Sequence, residues 1–133
     1  MTELLSTYFA GMLVLAFENE MNIISIFVPI PKGQIMYFAQ SQGKFVCQLI
    51  LDEIKSQQPI IIDVKTEDGH KRKGYAKSLM RKVLEDCASK LTKTEVVLDC
   101  HRDNYAARKL YESLGFRYVD NNPVCIRMKK IFL

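Results

Sequence analysis

No stretch of the 133 residues stays apolar for the roughly 18–20 positions that a membrane-spanning helix requires. The nearest run, residues 4–17, is interrupted by Ser6, Thr7 and Gly11 and has no basic residue ahead of it. It therefore fails as a secretory leader too, and is expected to be a core element. No C-x-x-C pair occurs. Cys47, Cys87, Cys100 and Cys125 are scattered, without the close or regular spacing of a disulfide framework or a zinc site. They are expected to be free thiols in a reducing cytoplasm, and no metal is expected. Repeats, low-complexity tracts and linkers are also missing, and the length is too small for two ordinary domains, so residues 1–133 are expected to form one. Neither Gly-x-Gly-x-x-Gly nor Gly-x-x-x-x-Gly-Lys-Ser/Thr is present, which removes two familiar phosphate-binding turns.

What is present has the proportions of a globular chain, with 48% hydrophobic and 26% charged residues. The formal net charge of +4 suggests an anionic ligand without singling out nucleic acid. The N-terminal half reads as strand-rich, with apolar, often β-branched or aromatic runs at residues 12–17, 22–28 and 34–39. Thr2 is placed to cap a short helix over the first ten residues. In residues 44–57, Val46, Leu49, Ile50 and Ile54 fall at helical spacing and Pro59 follows. The nearly continuous apolar stretch 45–51 would also suit a strand, and helix is slightly favoured. Residues 59–66 form the clearest strand and residues 74–90 the clearest helix, its stripe made by Ala76, Leu79, Met80, Val83, Leu84 and Cys87. A strand at 94–100, a helix at 105–114 stopped by Gly115, and closing strands at 117–119 and 124–130 complete an α/β or α+β order.

Between the strand ending near Thr66 and the helix starting near Tyr75 lies Gly69-His70-Lys71-Arg72-Lys73-Gly74-Tyr75-Ala76. Amides at a helix start have no intrahelical acceptor, and the helix dipole adds about half a positive charge there. Gly74 and Ala76 leave room for main chain and ligand to approach. Lys71, Arg72, Lys73 and Lys77 add charge that opposes the dipole unless an anion is bound. A diphosphate would be held by amides and cations together. His70 is read as part of this basic turn.

Lys71-Arg72-Lys73-Gly74-Tyr75-Ala76 resembles the Arg/Gln-x-x-Gly-x-Gly/Ala signature of the GNAT N-acetyltransferases, with lysine at the first position in place of the usual arginine or glutamine. Asn104-Tyr105-Ala106-Ala107-Arg108-Lys109-Leu110-Tyr111-Glu112-Ser113-Leu114-Gly115-Phe116 is similar to that family's Asn-x-x-Ala-x-x-x-Tyr-x-x-x-Gly-Phe segment. The resemblance implies an α/β fold with a central mixed, mostly antiparallel sheet flanked by helices, here with a reduced, strand-rich N-terminal part. It implies acetyl-CoA as co-substrate, its pyrophosphate on the turn's amides. Main-chain donors near Val64 and Thr66 would face the thioester oxygen, Asn104 would cap its helix or bond a ligand amide, Ala107 would leave a groove for the co-substrate beside the Tyr111 ring, and Tyr111 would protonate the departing thiolate as general acid. No base is singled out among Asp63, Glu67, Asp99 and His101. The leading expectation is acetyl transfer to a primary amine of a protein or small molecule by direct attack. A non-catalytic acyl-CoA-binding regulatory module and an acetyltransferase acting on an aminoacyl-RNA are the alternatives. Nucleic-acid binding as the sole function is disfavoured for want of an aromatic platform, no membrane partner is expected, and a homodimer is left open.

Overall fold

The computed structural model describes residues 3–9, 12–18, 23–28 and 33–132. Nine strands form one sheet: β1 (Glu3–Phe9), β2 (Met12–Glu18), β3 (Ile23–Val28), β4 (Gln34–Ser41), β5 (Lys44–Asp52), β6 (Ile60–Thr66), β7 (Glu95–His101), β8 (Arg117–Asn121) and β9 (Cys125–Ile131). Their spatial order is β1-β2-β3-β4-β5-β6-β7-β9-β8. Every neighbouring pair is antiparallel except β6 and β7. That parallel pair is joined by helix α1 (Tyr75–Glu85), which continues into a π-helical turn at Asp86–Lys90. Helix α2 (Tyr105–Ser113) follows β7. The mixed, mostly antiparallel sheet with its helices is the expected architecture.

Two sequence expectations are corrected. Residues 3–9, expected within a short helix, form β1, while Thr2 lies outside the described residues. Residues 44–52, where helical spacing was favoured, form β5. Its period is two: Cys47, Leu49 and Leu51 are buried on one face, and Gln48, Ile50 and Asp52 are half-buried on the other. The decisive feature is the turn before it. Gln42 and Gly43 have φ of 52° and 78° between the paired Ser41 and Lys44, the two left-handed residues of a tight hairpin. A strand so delivered between β4 and β6 satisfies its backbone on both edges, which outweighs the weak helical preference.

The core lies on one side of the sheet. Leu79, Met80, Val83 and Leu84 of α1 meet Tyr37, Leu49, Leu51, Ile61, Leu98 and Met128, and Tyr111 of α2 joins the same cluster. On the opposite face, the cross-strand neighbours Phe38, Met36, Ile50 and Ile62 are only half-buried and belong to no such cluster.

One buried polar group sits within this core. Asp86, 6% exposed in the π-helical turn, accepts a hydrogen bond from the Tyr37 hydroxyl at 2.7 Å and pairs with Lys82 at 3.2 Å. Burial, with the neighbouring carboxylate second, holds the Tyr37 hydroxyl far above the ordinary phenol range. Helix α2 ends in a Schellman turn: Phe116 N–H donates to Tyr111 O and Gly115 N–H to Glu112 O, both at 3.0 Å, with Gly115 at φ 99°. This turn swings Phe116, fully buried, back under the Tyr111 ring at 6.0 Å between centroids.

Tyr37→Phe removes the hydroxyl that Asp86 uses and should lower unfolding free energy by about 1–3 kcal/mol, the usual effect of stranding a buried charged acceptor. Urea denaturation at pH 7 checks this, with an unchanged midpoint as the contrary result.

Candidate active site

The site begins with a mismatch in strand length. From Gln48 to Ile50, β5 advances two residues while its partner β6 runs from Lys65 to Ile62, three residues. The extra residue is taken up at Asp63, whose φ of 53° is left-handed although it is not glycine. Such a bulge bends and twists its strand. Pairing of β6 with β7 occurs only at Ile60↔Val97 and Ile61↔Leu98, and beyond it the two strands part.

The gap is a cleft of about 160 Å³ lined by Ile62, Asp63, Val64, Asp99, His101 and Tyr111 among others. A larger cleft of about 410 Å³ lies alongside, where Thr66, Arg72, Gly74, Tyr75, Ala76 and Lys77 contribute to the wall. Val64, Asn104, Ala107 and Tyr111 line both, so the clefts meet at the tyrosine.

The turn feeding α1 is shaped by its backbone. Glu67 N–H donates to Val46 O at 2.8 Å, tying the end of β6 to β5. Arg72 and Gly74 then both take positive φ, 61° and 86°. Alternating left-handed residues turn successive N–H groups inward, as in an anion nest. Gly74 is the N-cap at φ 86°, ψ 5°, and α1 has neither a side-chain cap nor an acidic residue in its first turn. A Cβ at Gly74 would meet no atom within 4 Å. The glycine is therefore required by its backbone angle, and the space before it is open.

The structure brings most of the sequence-expected residues together. Val64, Thr66, Arg72, Gly74, Tyr75, Ala76, Lys77, Asn104, Ala107 and Tyr111 all line the larger cleft. Lys71 and Lys73 do not: both are exposed, and Lys71 pairs with Asp68 at 3.1 Å. Asn104 caps α2, its Oδ1 accepting from Ala107 N–H at 3.2 Å.

Tyr111 is 6% exposed. Burial, reinforced by the Cys100 and Cys47 thiols, pushes its hydroxyl up to about 12. Of the four groups considered as bases, Glu67 lines neither cleft, and Asp99 is gripped by the Arg127 fork at 2.8 and 3.0 Å, which holds its carboxyl below the usual range. His101 Nδ1 accepts from Asp103 N–H at 3.2 Å. Asp63 has no hydrogen-bond or ion-pair partner among the described residues.

His70, Ala106 and Leu110 also line the larger cleft, without having been singled out for it. The His70 ring stands edge-on to Tyr75 at 6.1 Å, and its Nδ1 is buried with no partner among the described residues. The signal for Leu110 was available, since it lies three residues from Ala107 on the same helix face.

An open helix N-terminus is thus continuous with a split between parallel strands in an α/β protein, and the combined channel reaches a buried tyrosine. Residues 8–116 match the family model described as the Acetyltransferase (GNAT) family, and the chain belongs to that family. It is 34% identical over 105 residues to N-acetylaspartate synthetase of Danio rerio, an overlap of 78% of this chain but only 37% of the fish protein. Its fold is similar to PaiA N-acetyltransferase from Thermoplasma acidophilum in complex with coenzyme A, with TM-score 0.68, 18% identity, and coverage of 74% of this chain and 61% of that one. A GNAT family acetyltransferase from Elizabethkingia anophelis with acetyl-CoA bound gives TM-score 0.67 at 14% identity, covering 74% and 76%. The chain thus spans about a third of the length of the curated relative and under two thirds of PaiA.

Tyr111 supplies a test of this environment. Its folded-state value of about 12 lies above the ordinary phenol value near 10, so the stability it contributes is complete below pH 10 and is lost as pH rises toward 12. Between pH 9 and 11 the wild type should lose about 1 kcal/mol more than Tyr111→Phe. Urea midpoints of the two proteins at both pH values would show it, and parallel losses would contradict it.

Proposed function

We propose that the chain transfers the acetyl group of acetyl-CoA to a primary amine, with Tyr111 beside the sulfur. The observation that carries the proposal is the convergence of the Gly74 turn and Tyr111 on one continuous cleft. The residues fit the co-substrate. A diphosphate needs converging N–H donors and positive charge, and the α1 start offers uncapped amides, with Arg72 and Lys77 in the wall. Val64, Ala107 and Leu110 give the apolar flank that a pantetheine arm needs.

Bound there, acetyl-CoA supplies a thioester carbon that an amine nitrogen attacks directly while the C–S bond breaks and the thiolate leaves. The β6 edge past Ile61, released from β7, offers main-chain N–H groups at Val64 and Thr66 for the oxygen that gains negative charge. The neutral amine is the nucleophile, and with an unperturbed pKa of about 10.4 it must shed a proton near pH 7 at a cost on the order of 4–5 kcal/mol unless the site helps. The Tyr111 hydroxyl donates a hydrogen bond to the departing sulfur. Complete proton transfer from a phenol at about 12 to a thiol near 8.5 is uphill by about 5 kcal/mol. Tyr111 therefore works while staying protonated, stabilising the sulfur as charge builds and leaving net protonation to solvent. The fish relative's name carries an amino acid acceptor, which supports an amine.

At a hundredfold excess over its dissociation constant, acetyl-CoA should stabilise the wild type by about 2.7 kcal/mol. Gly74→Asp, which places a carboxylate and a strained φ at the anion nest, should abolish that gain. Tyr111→Phe should keep the gain but lower kcat about ten- to hundredfold, the size of one lost hydrogen bond to a charged group. A wild type whose melting temperature ignores acetyl-CoA would refute the proposal.

A further inference from the structure

The split between β6 and β7 passes through the sheet. Leu98, Cys100 and Tyr111 in its lining belong to the core face, whereas Asp99 and His101 alternate with them and are exposed on the other. That second face is the one bearing Phe38, Ile50 and Ile62, which are half-buried and outside the core cluster of the described residues. Co-substrate bound along the Gly74 turn would present its reacting carbon at the split, leaving the opposite mouth for the second substrate.

We infer that this mouth accepts a cationic alkylamine with no carboxylate beside the nitrogen, and that the Asp63 carboxylate holds its ammonium group. The inference rests on the acetyl-transfer reading above and adds the acceptor's charge class. Two carboxylates and one imidazole line the split, and no lysine or arginine is among the described residues lining it. Asp99 is already neutralised by the two-point grip of Arg127. Further along β9, away from the split, Lys129 is paired with Glu95 at 2.8 Å. Asp63 is left as the exposed carboxylate in the lining without a partner among the described residues, on a backbone fixed by the bulge at φ 53°.

A charge in that position attracts an ammonium ion and repels an acid. An amine such as aspartate would bring two carboxylates into a split with an uncompensated negative charge and no cation in its lining to receive them. The free ammonium of a polyamine, or of a lysine side chain in a capped peptide, meets the opposite conditions. Asp63 is thus an acceptor-binding residue whose position is set by the same bulge that opens the split, and the ammonium held there passes one proton through that exposed carboxylate to solvent before its nitrogen attacks.

The test measures thiol release from acetyl-CoA with spermidine, a capped lysine peptide and L-aspartate as acceptors, for wild type and Asp63→Asn. Asparagine adopts the left-handed region readily, so the bulge is preserved. The expected result is turnover of one or both alkylamines, with L-aspartate a poor acceptor. In Asp63→Asn, KM for the alkylamine should rise about ten- to hundredfold, the size of a lost charge-assisted hydrogen bond, with kcat changing less and stabilisation by acetyl-CoA unaltered. Which alkylamine is favoured separates a small polyamine from a peptide source. L-aspartate as the preferred acceptor or an unchanged KM in Asp63→Asn would overturn this inference alone, whereas no turnover of any of these amines by a chain that acetyl-CoA does stabilise would overturn amine acetylation with it. Absence of acetyl-CoA stabilisation in the wild type would overturn the acetyl-transfer reading with it.

Discussion

The arrangement depends on one extra residue in β6. Without the bulge at Asp63, two parallel neighbours would continue pairing beyond Ile61 and Leu98, and the sheet would be closed where the clefts now meet. A left-handed aspartate costs about 1 kcal/mol relative to relaxed strand geometry. It is tolerated because β6 is anchored on both sides of the bulge, by Ile62↔Ile50 below it and Lys65↔Gln48 above. Parallel direction then does the rest. Strands running the same way deliver their following helices at the same end of the sheet, so α1 and α2 both start beside the opening. Their N-termini differ in occupation: α2 is capped by its own Asn104, whereas α1 is left without a side-chain cap. The α1 start is therefore the one left open for the anion of the proposed reading, and the Asn104–Tyr111 helix supplies the far wall of the cleft.

Burial and function are balanced at Tyr111. The ring needs the core for its position, packed against Phe116 by the Schellman turn, and the same burial makes the phenol a weaker acid. A phenol near 10 would exchange its proton with a thiolate at small cost, but one near 12 favours a hydrogen bond that never becomes full transfer. In the proposed reaction, what placement adds to the rate is then electrostatic stabilisation of the leaving sulfur, not acidity as such.

The parts legible in the sequence are those whose chemistry is local. Gly74 and Ala76 at a helix start and Ala107, Tyr111 and Gly115 on one helix are fixed by neighbours within a turn or two, so their residue types reveal their roles. The strand β5 was not legible from Val46, Leu49 and Ile50, because that spacing serves both periods over a short run. The Gln42-Gly43 pair that delivers β5 as a hairpin was the available signal. The bulge had no such signal. Asp63 in the run Ile60 to Thr66 looks like any solvent-facing strand residue, and its left-handed backbone arises only from the register that β5 imposes. Lys71 and Lys73 were grouped with the cleft by sequence proximity, yet their long side chains point charge outward from a turn whose backbone makes the pocket.

The same distinction bears on acceptor recognition. Residues 3–9, 12–18, 23–28 and 33–66 supply six strands, and no helix is described among them. In the proposed reading, what meets the second substrate within the described residues is therefore strand side chains around the split, with Asn104, Ala107 and Tyr111 of the second helix beside them. Along β7 these alternate between core and open face, and Arg127 on β9 reaches across to Asp99. Pairing on that face neutralises Asp99 and leaves Asp63 unpaired among the described residues, so the proposed selectivity rests on which acid lacks a partner and not on how many acids are present. A register shift by a single residue in β6 thus opens the split and sets Asp63 at its edge, the two features on which the proposed acceptor site rests.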